Sequence, residues 1–289
     1  MSQQTRAMRA LIAAPGVQVV PECYSALTGR IVEELGFGAT WIGGHALGGM
    51  HYAIPDHGLI TSTEMMEHAA RIVEAISIPL LVDADQGGET SLNVRRQVRG
   101  YESIGVAGIA LEDTVNPKHL YANDSLVPIS EMQTRIAAAA DARRDDAFVI
   151  IARSDNLFNG GTVDEAIRRG IAFADAGADM YFCIFMEPSV IDEIADAVPI
   201  PLFDMALPDR GLDKTGDTKL KVSLFTGFAV STAAYTFTEL LKPIKERGTY
   251  ADDIIEHALP RESHATLVRD QEYLEESKRW GNRIATQLG

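Results

Sequence analysis

A pair of aspartates with one residue between them is the strongest chemical signal in the sequence. Asp83 and Asp85 follow the apolar run Leu80-Leu81-Val82. In a β-strand, side chains two residues apart point to the same side, so both carboxylates are expected to face one site. Converging carboxylates repel one another and shift each other's pKa unless a cation lies among them. The spacing therefore predicts a metal site with oxygen ligands, which suits Mg²⁺, with Mn²⁺ as a possible substitute.

Further acidic residues stand at the ends of other apolar runs. Glu112 ends one such run, Asp56 lies in the loop after another, and Glu187 follows a third. If the runs are parallel strands of one barrel, their carboxyl ends lie at one face, where active sites of this architecture are found. These acids are therefore expected near Asp83 and Asp85.

The elements that position these acids are short apolar runs alternating with helical patterns. The predicted strands cover residues 17–21, 40–43, 79–84, 107–111, 148–152, 179–185, 201–205 and 222–225. The predicted helices include residues 26–35, 64–75, 93–103, 131–143 and 163–176, with Asn93 as an N-cap. Such apolar runs are typical of parallel strands buried on both faces. Eight β–α units with right-handed crossovers predict a (β/α)8 TIM-type barrel. An open dinucleotide-binding sheet is disfavoured, because no G-x-G-x-x-G follows the first strand.

The barrel is predicted to occupy residues 1–248, and residues 249–289 a helical extension of the same domain. Within this extension, residues 260–286 form one long charged helical pattern with apolar side chains at Leu267, Tyr273 and Trp280. Such a helix packs either on another subunit or on its own barrel, and the sequence leaves both open.

Composition and charge narrow the class of partner. The formal net charge is -15, with 26 Lys and Arg against 41 Asp and Glu, and no basic cluster suited to nucleic acid is present. No apolar run reaches the roughly 18 residues needed to span a bilayer, and the first residues lack the apolar core of a signal peptide. Cys23 and Cys183 have no metal-site spacing. We therefore expect a cytoplasmic protein that binds a small molecule and binds neither nucleic acid nor a membrane.

Several motifs occur together in a specific order. They include LVDAD at 81–85, GVAGIALED at 105–113 and IARSD at 151–155. From about Met8 to Gly248 the chain resembles the phosphoenolpyruvate mutase/isocitrate lyase superfamily. The resemblance implies a barrel whose last helix is exchanged between paired subunits, so that a homo-oligomer, a dimer of helix-swapped dimers, is expected.

The resemblance also implies roles for individual residues. Asp85 would bind Mg²⁺, helped directly or through water by Asp56, Asp83 and Glu112. Arg153 would hold the substrate carboxylate, for which its guanidinium offers bidentate recognition. The segment after the second strand would bind the substrate through Trp41, Gly43, Gly44 and His45.

The loop after Glu112 is expected to distinguish the reactions of this superfamily. Leu120 stands where the lyases carry an acid/base cysteine, although the glutamate of the lyases is retained as Glu187. Phe228 stands where oxaloacetate decarboxylase-type members have a histidine. These apolar replacements suggest a substrate less polar than oxaloacetate or isocitrate. The loop residues that remain candidates for the proton donor are Lys118, which matches a lysine of phosphoenolpyruvate mutase, His119 and Tyr121.

The leading hypothesis is a Mg²⁺-dependent lyase or decarboxylase that cleaves a C–C bond of a small 2-oxo or 2-hydroxy carboxylic acid through a metal-stabilised enolate. One alternative is a C–P bond enzyme acting on a phosphonate such as phosphonopyruvate. Another is a barrel that binds a metabolite without turning it over. The acidic residues argue against this last alternative, because a binding protein has little need of converging carboxylates.

Overall fold

The computed structural model of the chain describes residues 2–120, 125–251 and 255–288. Two compact units are present, Met1–Val230 and Ser231–Gly289. The first contains the strands and the second contains only helices in its described part. Each unit is described by itself below.

The first unit is a barrel of parallel strands. Its strands are β1 Gln18–Pro21, β2 Thr40–Ile42, β3 Leu80–Asp83, β4 Gly108–Glu112, β5 Val149–Ser154, β6 Met180–Cys183, β7 Leu202–Ala206 and β8 Leu220–Phe225. Within the described residues they form one eight-stranded sheet in the order β1-β8-β7-β6-β5-β4-β3-β2. At the seam between β1 and β2, Cys23 N donates to Trp41 O at 2.7 Å. The predicted (β/α)8 barrel and its predicted strands are confirmed.

Helices alternate with these strands in the first unit. They are α1 Gln3–Ala13, α2 Ala26–Glu34, α3 Gly44–Leu47, α4 Ser62–Ala75, α5 Ser91–Ser103, α6 Ile129–Ala142, α7 Val163–Asp175, α8 Pro188–Ala197 and the short α9 Leu212–Thr215. A π-helical turn, Gly48–Tyr52, follows α3. The prediction of Asn93 as an N-cap was wrong: Thr90 caps α5, and Asn93 completes the capping box from the third helical position.

Alternation along the strands separates two layers of core. Leu81 of β3 packs inside the barrel with Phe182 and Phe203, whose rings stack at 4.4 Å between centroids. Its neighbours Leu80 and Val82 pack toward the helices. Because side chains two apart share a side, Asp83 continues from Leu81 and faces the interior at the carboxyl end of the barrel.

The second unit contains most of helix α10 Phe228–Arg247, followed by α11 Arg261–Leu267 and α12 Asp270–Leu288. The prediction of one continuous helix over 260–286 was wrong, because Arg269 adopts a left-handed φ of 56° between α11 and α12. Among the described residues, no helix combines the length and the apolar character required to cross a bilayer. The domain boundary at 248 and the exchange of a helix between subunits stay predictions.

Candidate active site

The predicted carboxylates converge at the carboxyl ends of β3 and β4. Asp83 ends β3 and Glu112 ends β4, and both are buried. Asp85 lies two residues beyond Asp83, in a left-handed conformation with a φ of 47°. One carboxylate oxygen from each of these residues lies within 4.8 Å of the others. We refer to Asp83, Asp85 and Glu112 as the acid cluster.

Lys118 lies in the middle of these carboxylates. Its side chain is 0% exposed, although the sequence placed it on a loop. Its Nζ lies 2.5 Å from Asp85 Oδ1, 3.3 Å from Glu112 Oε2, 3.5 Å from Asp56 Oδ1 and 3.9 Å from Asp83 Oδ2. Burial opposes the charge of the ammonium, but the surrounding carboxylates outweigh it and hold the pKa of Lys118 well above its ordinary value. The ammonium is therefore a cation that the acid cluster already accommodates.

Arg153 projects from β5 toward the acid cluster. Its Nη1 lies 3.0 Å from Glu112 Oε2. Its Nε and Nη2 donate to the two oxygens of Asp155 at 2.7 and 2.9 Å, which fixes the plane of the guanidinium. Although burial of Asp155 acts in the opposite direction, Arg153 holds the pKa of that carboxyl well below its usual range. Asp155 was not among the predicted site residues, but its position two residues after Arg153, directly beyond the end of β5, was a usable signal.

His119 lies between the loop after β2 and the end of β5. Its Nε2 is 3.4 Å from Asp155 Oδ2, and its Nδ1 is 3.3 Å from the backbone oxygen of Asp56. The hydrogen bond with Asp155 raises the pKa of His119, while partial burial acts against it. Phe158 packs edge-on against the imidazole at 5.7 Å between ring centroids. Tyr121, the third candidate proton donor, lies outside the described residues.

A cavity of about 340 Å³ opens at this face of the barrel. Its polar wall includes Asp56, Asp83, His119 and Arg153. The predicted substrate-binding residues also line it: Trp41, Gly43, Gly44 and His45. Apolar side chains form the rest of the wall, among them Phe158, Phe182, Ile184, Phe185, Met205, Leu207, Leu224 and Phe228.

Gly44 lies close to the carboxylate of Asp56 in this wall. A Cβ atom on Gly44 would lie 2.9 Å from Asp56 Oδ1, closer than real Cβ contacts allow. The backbone at Gly44 therefore approaches Asp56 directly, and Gly43 and Gly44 both line the cavity.

One predicted residue lies apart from the others. The side chain of Glu187 is 62% exposed, pairs with Arg210 and does not line the cavity. Conversely, the cavity wall includes Glu22, at the end of β1, which was not predicted. The signal that could have found it is its position directly after a predicted strand, the same rule that located Glu112.

Comparisons with known proteins agree with this architecture. A family model described as phosphoenolpyruvate phosphomutase matches residues 8–239. The chain is 42% identical to 2,3-dimethylmalate lyase of Eubacterium barkeri over 61% of each chain, so the match spans about three fifths of that relative. It is 31% identical to phosphonopyruvate hydrolase of Variovorax sp. over 89% of this chain and 91% of the relative. A crystal structure of phosphonopyruvate hydrolase in complex with oxalate and Mg²⁺ superposes with a TM-score of 0.87 at 28% identity, covering 97% and 99% of the two chains.

Proposed function

The chain belongs to the phosphoenolpyruvate phosphomutase family, and from this premise we propose that it is a Mg²⁺-dependent lyase or decarboxylase. It would cleave a C–C bond of a small 2-oxo or 2-hydroxy carboxylic acid. The observation that carries the proposal is that Arg153 and Asp83, one member of the acid cluster, line the same cavity, while Arg153 Nη1 lies 3.0 Å from Glu112 of that cluster. A cation site and a carboxylate site therefore lie side by side. The name of its relative 2,3-dimethylmalate lyase supports the lyase class.

The donor set fits Mg²⁺, and Mn²⁺ would be accepted by the same oxygens. Carboxylate oxygens that lie within 4.8 Å of one another match the preference of these ions for oxygen ligands. Asp83, Asp85 and Glu112 would hold the ion, with Asp56 reaching it directly or through water. When bound, the ion supplies positive charge that stabilises a developing enolate. The complex of the related phosphonopyruvate hydrolase with oxalate and Mg²⁺ supports this assignment.

The chain's own residues would bind and orient the substrate. Arg153, held in place by Asp155, would pair with the substrate carboxylate. Backbone N–H groups at Gly43 and Gly44 would donate to substrate oxygens. His119 is the best-placed proton donor, since it lines the cavity and its hydrogen bond with Asp155 favours the protonated imidazole.

The other predicted catalytic residues have weaker support. Lys118 is enclosed by carboxylates, so its proton is strongly held and we assign it a charge-balancing role. Catalytic roles for Tyr121 and Glu187 stay predictions, and Glu187 would have to move to reach the cavity.

The apolar wall supports a substrate less polar than oxaloacetate. Phe228, predicted from the sequence to mark such a preference, lines the cavity and is 56% exposed. Leu120, the other apolar replacement, is exposed and does not line it. Of the two replacements, only Phe228 therefore supports this preference, as do Phe158 and Phe185, which line the cavity and were not predicted.

The test is to follow pyruvate release from oxaloacetate, methylisocitrate, 2,3-dimethylmalate and phosphonopyruvate, each with MgCl₂ or EDTA. We expect pyruvate release by C–C cleavage of one of these acids in MgCl₂, and no release in EDTA. Pyruvate with equimolar phosphate from phosphonopyruvate alone would establish the C–P alternative, which similarity to phosphonopyruvate hydrolase favours as the second candidate. Binding of these acids without turnover would establish the other alternative, a barrel that binds a metabolite without turning it over.

A homo-oligomer with an exchanged helix is also proposed, on the family resemblance. The cytoplasmic location expected from the sequence stays a prediction. Light scattering of the purified protein would give the mass of the assembly. A monomeric mass would exclude the exchange.

A further inference from the structure

Glu22 occupies a position where catalytic residues of barrels are found. It follows β1 directly, at the carboxyl end of the barrel, and its N–H donates to Phe225 O at 2.9 Å. Its side chain lines the cavity, yet the residue is only 7% exposed. Glu22 is thus a buried carboxyl group at the seam where β8, β1 and β2 meet.

The two oxygens of this carboxyl group differ in their surroundings. Oε2 accepts a hydrogen bond from Gly227 N at 3.1 Å. Oε1 is buried and has no hydrogen-bond partner among the described residues. A buried carboxyl oxygen without a partner costs free energy, so its retention in a cavity wall calls for a ligand.

The same surroundings shift the pKa of Glu22. Burial raises its pKa, while hydrogen bonds from Thr226 and Gly227 act in the opposite direction. Of the charged groups nearby, Asp56 favours the neutral acid and His45 the carboxylate. A neutral Glu22 would offer an O–H donor where an ionised one would repel an anionic substrate.

The Gly43–Gly44 segment links Glu22 to the acid cluster. A Cβ on Gly43 would lie 3.7 Å from Glu22 Oε1 and 2.9 Å from Trp41 Nε1. A Cβ on Gly44 would lie 2.9 Å from Asp56 Oδ1 and 4.0 Å from Asp83 Oδ2. Glu22 Oε1 and Asp83 Oδ2 therefore lie beside successive residues of this segment.

We propose that Glu22 is a substrate-contacting residue whose Oε1, in the complex with a carboxylic acid, shares a proton with a carboxylate oxygen of the substrate, beside the indole N–H of Trp41. This inference rests on the proposed function, because that function brings a carboxylic acid to the Gly43–Gly44 segment. It adds to that function a second recognition point for the carboxylate, beside Gly43.

The test is calorimetric titration of oxalate into the full chain with MgCl₂. Glu22→Gln keeps an acceptor for Gly227 N and presents an amide donor, so its oxalate affinity should stay within about threefold of wild type. Glu22→Leu has a similar volume and no donor, and its affinity should fall about 10- to 100-fold, the range for a hydrogen bond to a charged acceptor. Glu22→Asp keeps the acid but shortens its reach, and should also weaken binding.

Glu102 supplies a matched control. Its Oε1 accepts hydrogen bonds from Arg144 N and Asp145 N, its Oε2 is buried without a partner among the described residues, and it does not line the cavity. Glu102→Leu therefore removes similar interactions elsewhere and should leave oxalate affinity unchanged. Mg²⁺ binding without oxalate should be the same in all variants that fold. If Glu22→Leu does not fold, the oxalate affinity of Glu22→Asp tests whether Glu22 contacts the substrate.

The outcomes separate the inference from its premise. If wild type binds oxalate with Mg²⁺ and both Glu22→Leu and Glu22→Asp bind equally well, Glu22 does not contact the substrate, while the proposed function stands. If wild type shows no Mg²⁺-dependent oxalate binding, the proposed function is overturned and the inference with it.

Discussion

Replacing Lys118 by methionine removes the ammonium from the acid cluster while keeping most of the side-chain length and volume. The Nζ lies within 4.0 Å of carboxylate oxygens of Asp56, Asp83, Asp85 and Glu112, and the side chain is 0% exposed. Removing one partner of a buried ion pair costs about 3–5 kcal/mol, because the remaining charge is left buried and unpaired. The side chains of Asp56 and Asp85 are 20% and 24% exposed, so water screens part of this cost and favours the lower end of the range.

The assay is thermal unfolding of wild type and Lys118→Met in EDTA and in excess MgCl₂. For a chain of this size, 1 kcal/mol shifts Tm by roughly 2–4 °C, so we expect Lys118→Met to unfold roughly 6–12 °C lower in EDTA. In MgCl₂ most of that loss should be recovered, because a divalent cation neutralises the same carboxylates. The increase in Tm caused by Mg²⁺ should therefore be larger in the variant than in wild type.

A surface lysine provides the control for this measurement. Lys214 is 59% exposed and pairs with Asp213 on the surface, so Lys214→Met should change the unfolding free energy by less than about 0.5 kcal/mol in either solution. Equal Tm values for Lys118→Met and wild type in EDTA would contradict this prediction, since they would mean that the carboxylates do not depend on this ammonium for their charge balance.

Other predictions concern the metal, the pH dependence of stability and substrate preference. Asp85→Ala should lower metal-dependent kcat/KM roughly a thousandfold, because the ion contributes several kcal/mol of transition-state stabilisation. The rate of pyruvate release at several substrate concentrations gives kcat/KM. Burial raises the pKa of Asp204 from 3.8 to about 8. Between pH 3.8 and about 8, the folded protein therefore keeps a proton on Asp204 that the unfolded chain loses. As the pH rises through this range, the free energy of unfolding of wild type should fall by up to about 1.4 kcal/mol per pH unit. Asp204→Asn retains the acceptor for Phe185 N and Met205 N and should lack that slope in urea unfolding. Phe158→Ala should reduce the preference for 2,3-dimethylmalate over 2-methylmalate about tenfold in kcat/KM ratio, the scale for one methyl group in an apolar pocket.

Each of these has an outcome that contradicts it. Unchanged kinetics in Asp85→Ala would remove the metal from the mechanism. Parallel pH profiles of wild type and Asp204→Asn would show that Asp204 is ionised in the folded protein. An unchanged substrate ratio in Phe158→Ala would place the substrate's alkyl group elsewhere, and Leu92→Ala, an exposed side chain on α5, is the control.

The sequence was sufficient for the barrel and for the acid cluster. Apolar runs alternating with helical patterns are a local property, and parallel strands that alternate with helices have few ways to pack. The strand ends then converge at one face, so Asp83 and Glu112 could be assigned to one site without knowledge of their distance. Local patterns were less reliable where one residue changes a backbone angle, as Arg269 does between α11 and α12.

Tertiary structure decided which residues beyond the strand ends reach the site. Lys118 and Glu187 carried similar signals, each a charged residue in a loop after a strand. One is enclosed by carboxylates and the other is largely exposed beside Arg210. The difference depends on where each loop crosses the barrel mouth, which non-local contacts determine, such as that of His57 Nδ1 with Lys118 O at 3.0 Å. The proximity of Glu22 to Gly43 likewise arises only when β1 and β2 meet at the seam. Sequence thus determined the strand ends, because their alternation is local, whereas only the closed fold decided which loop and seam residues face the cavity.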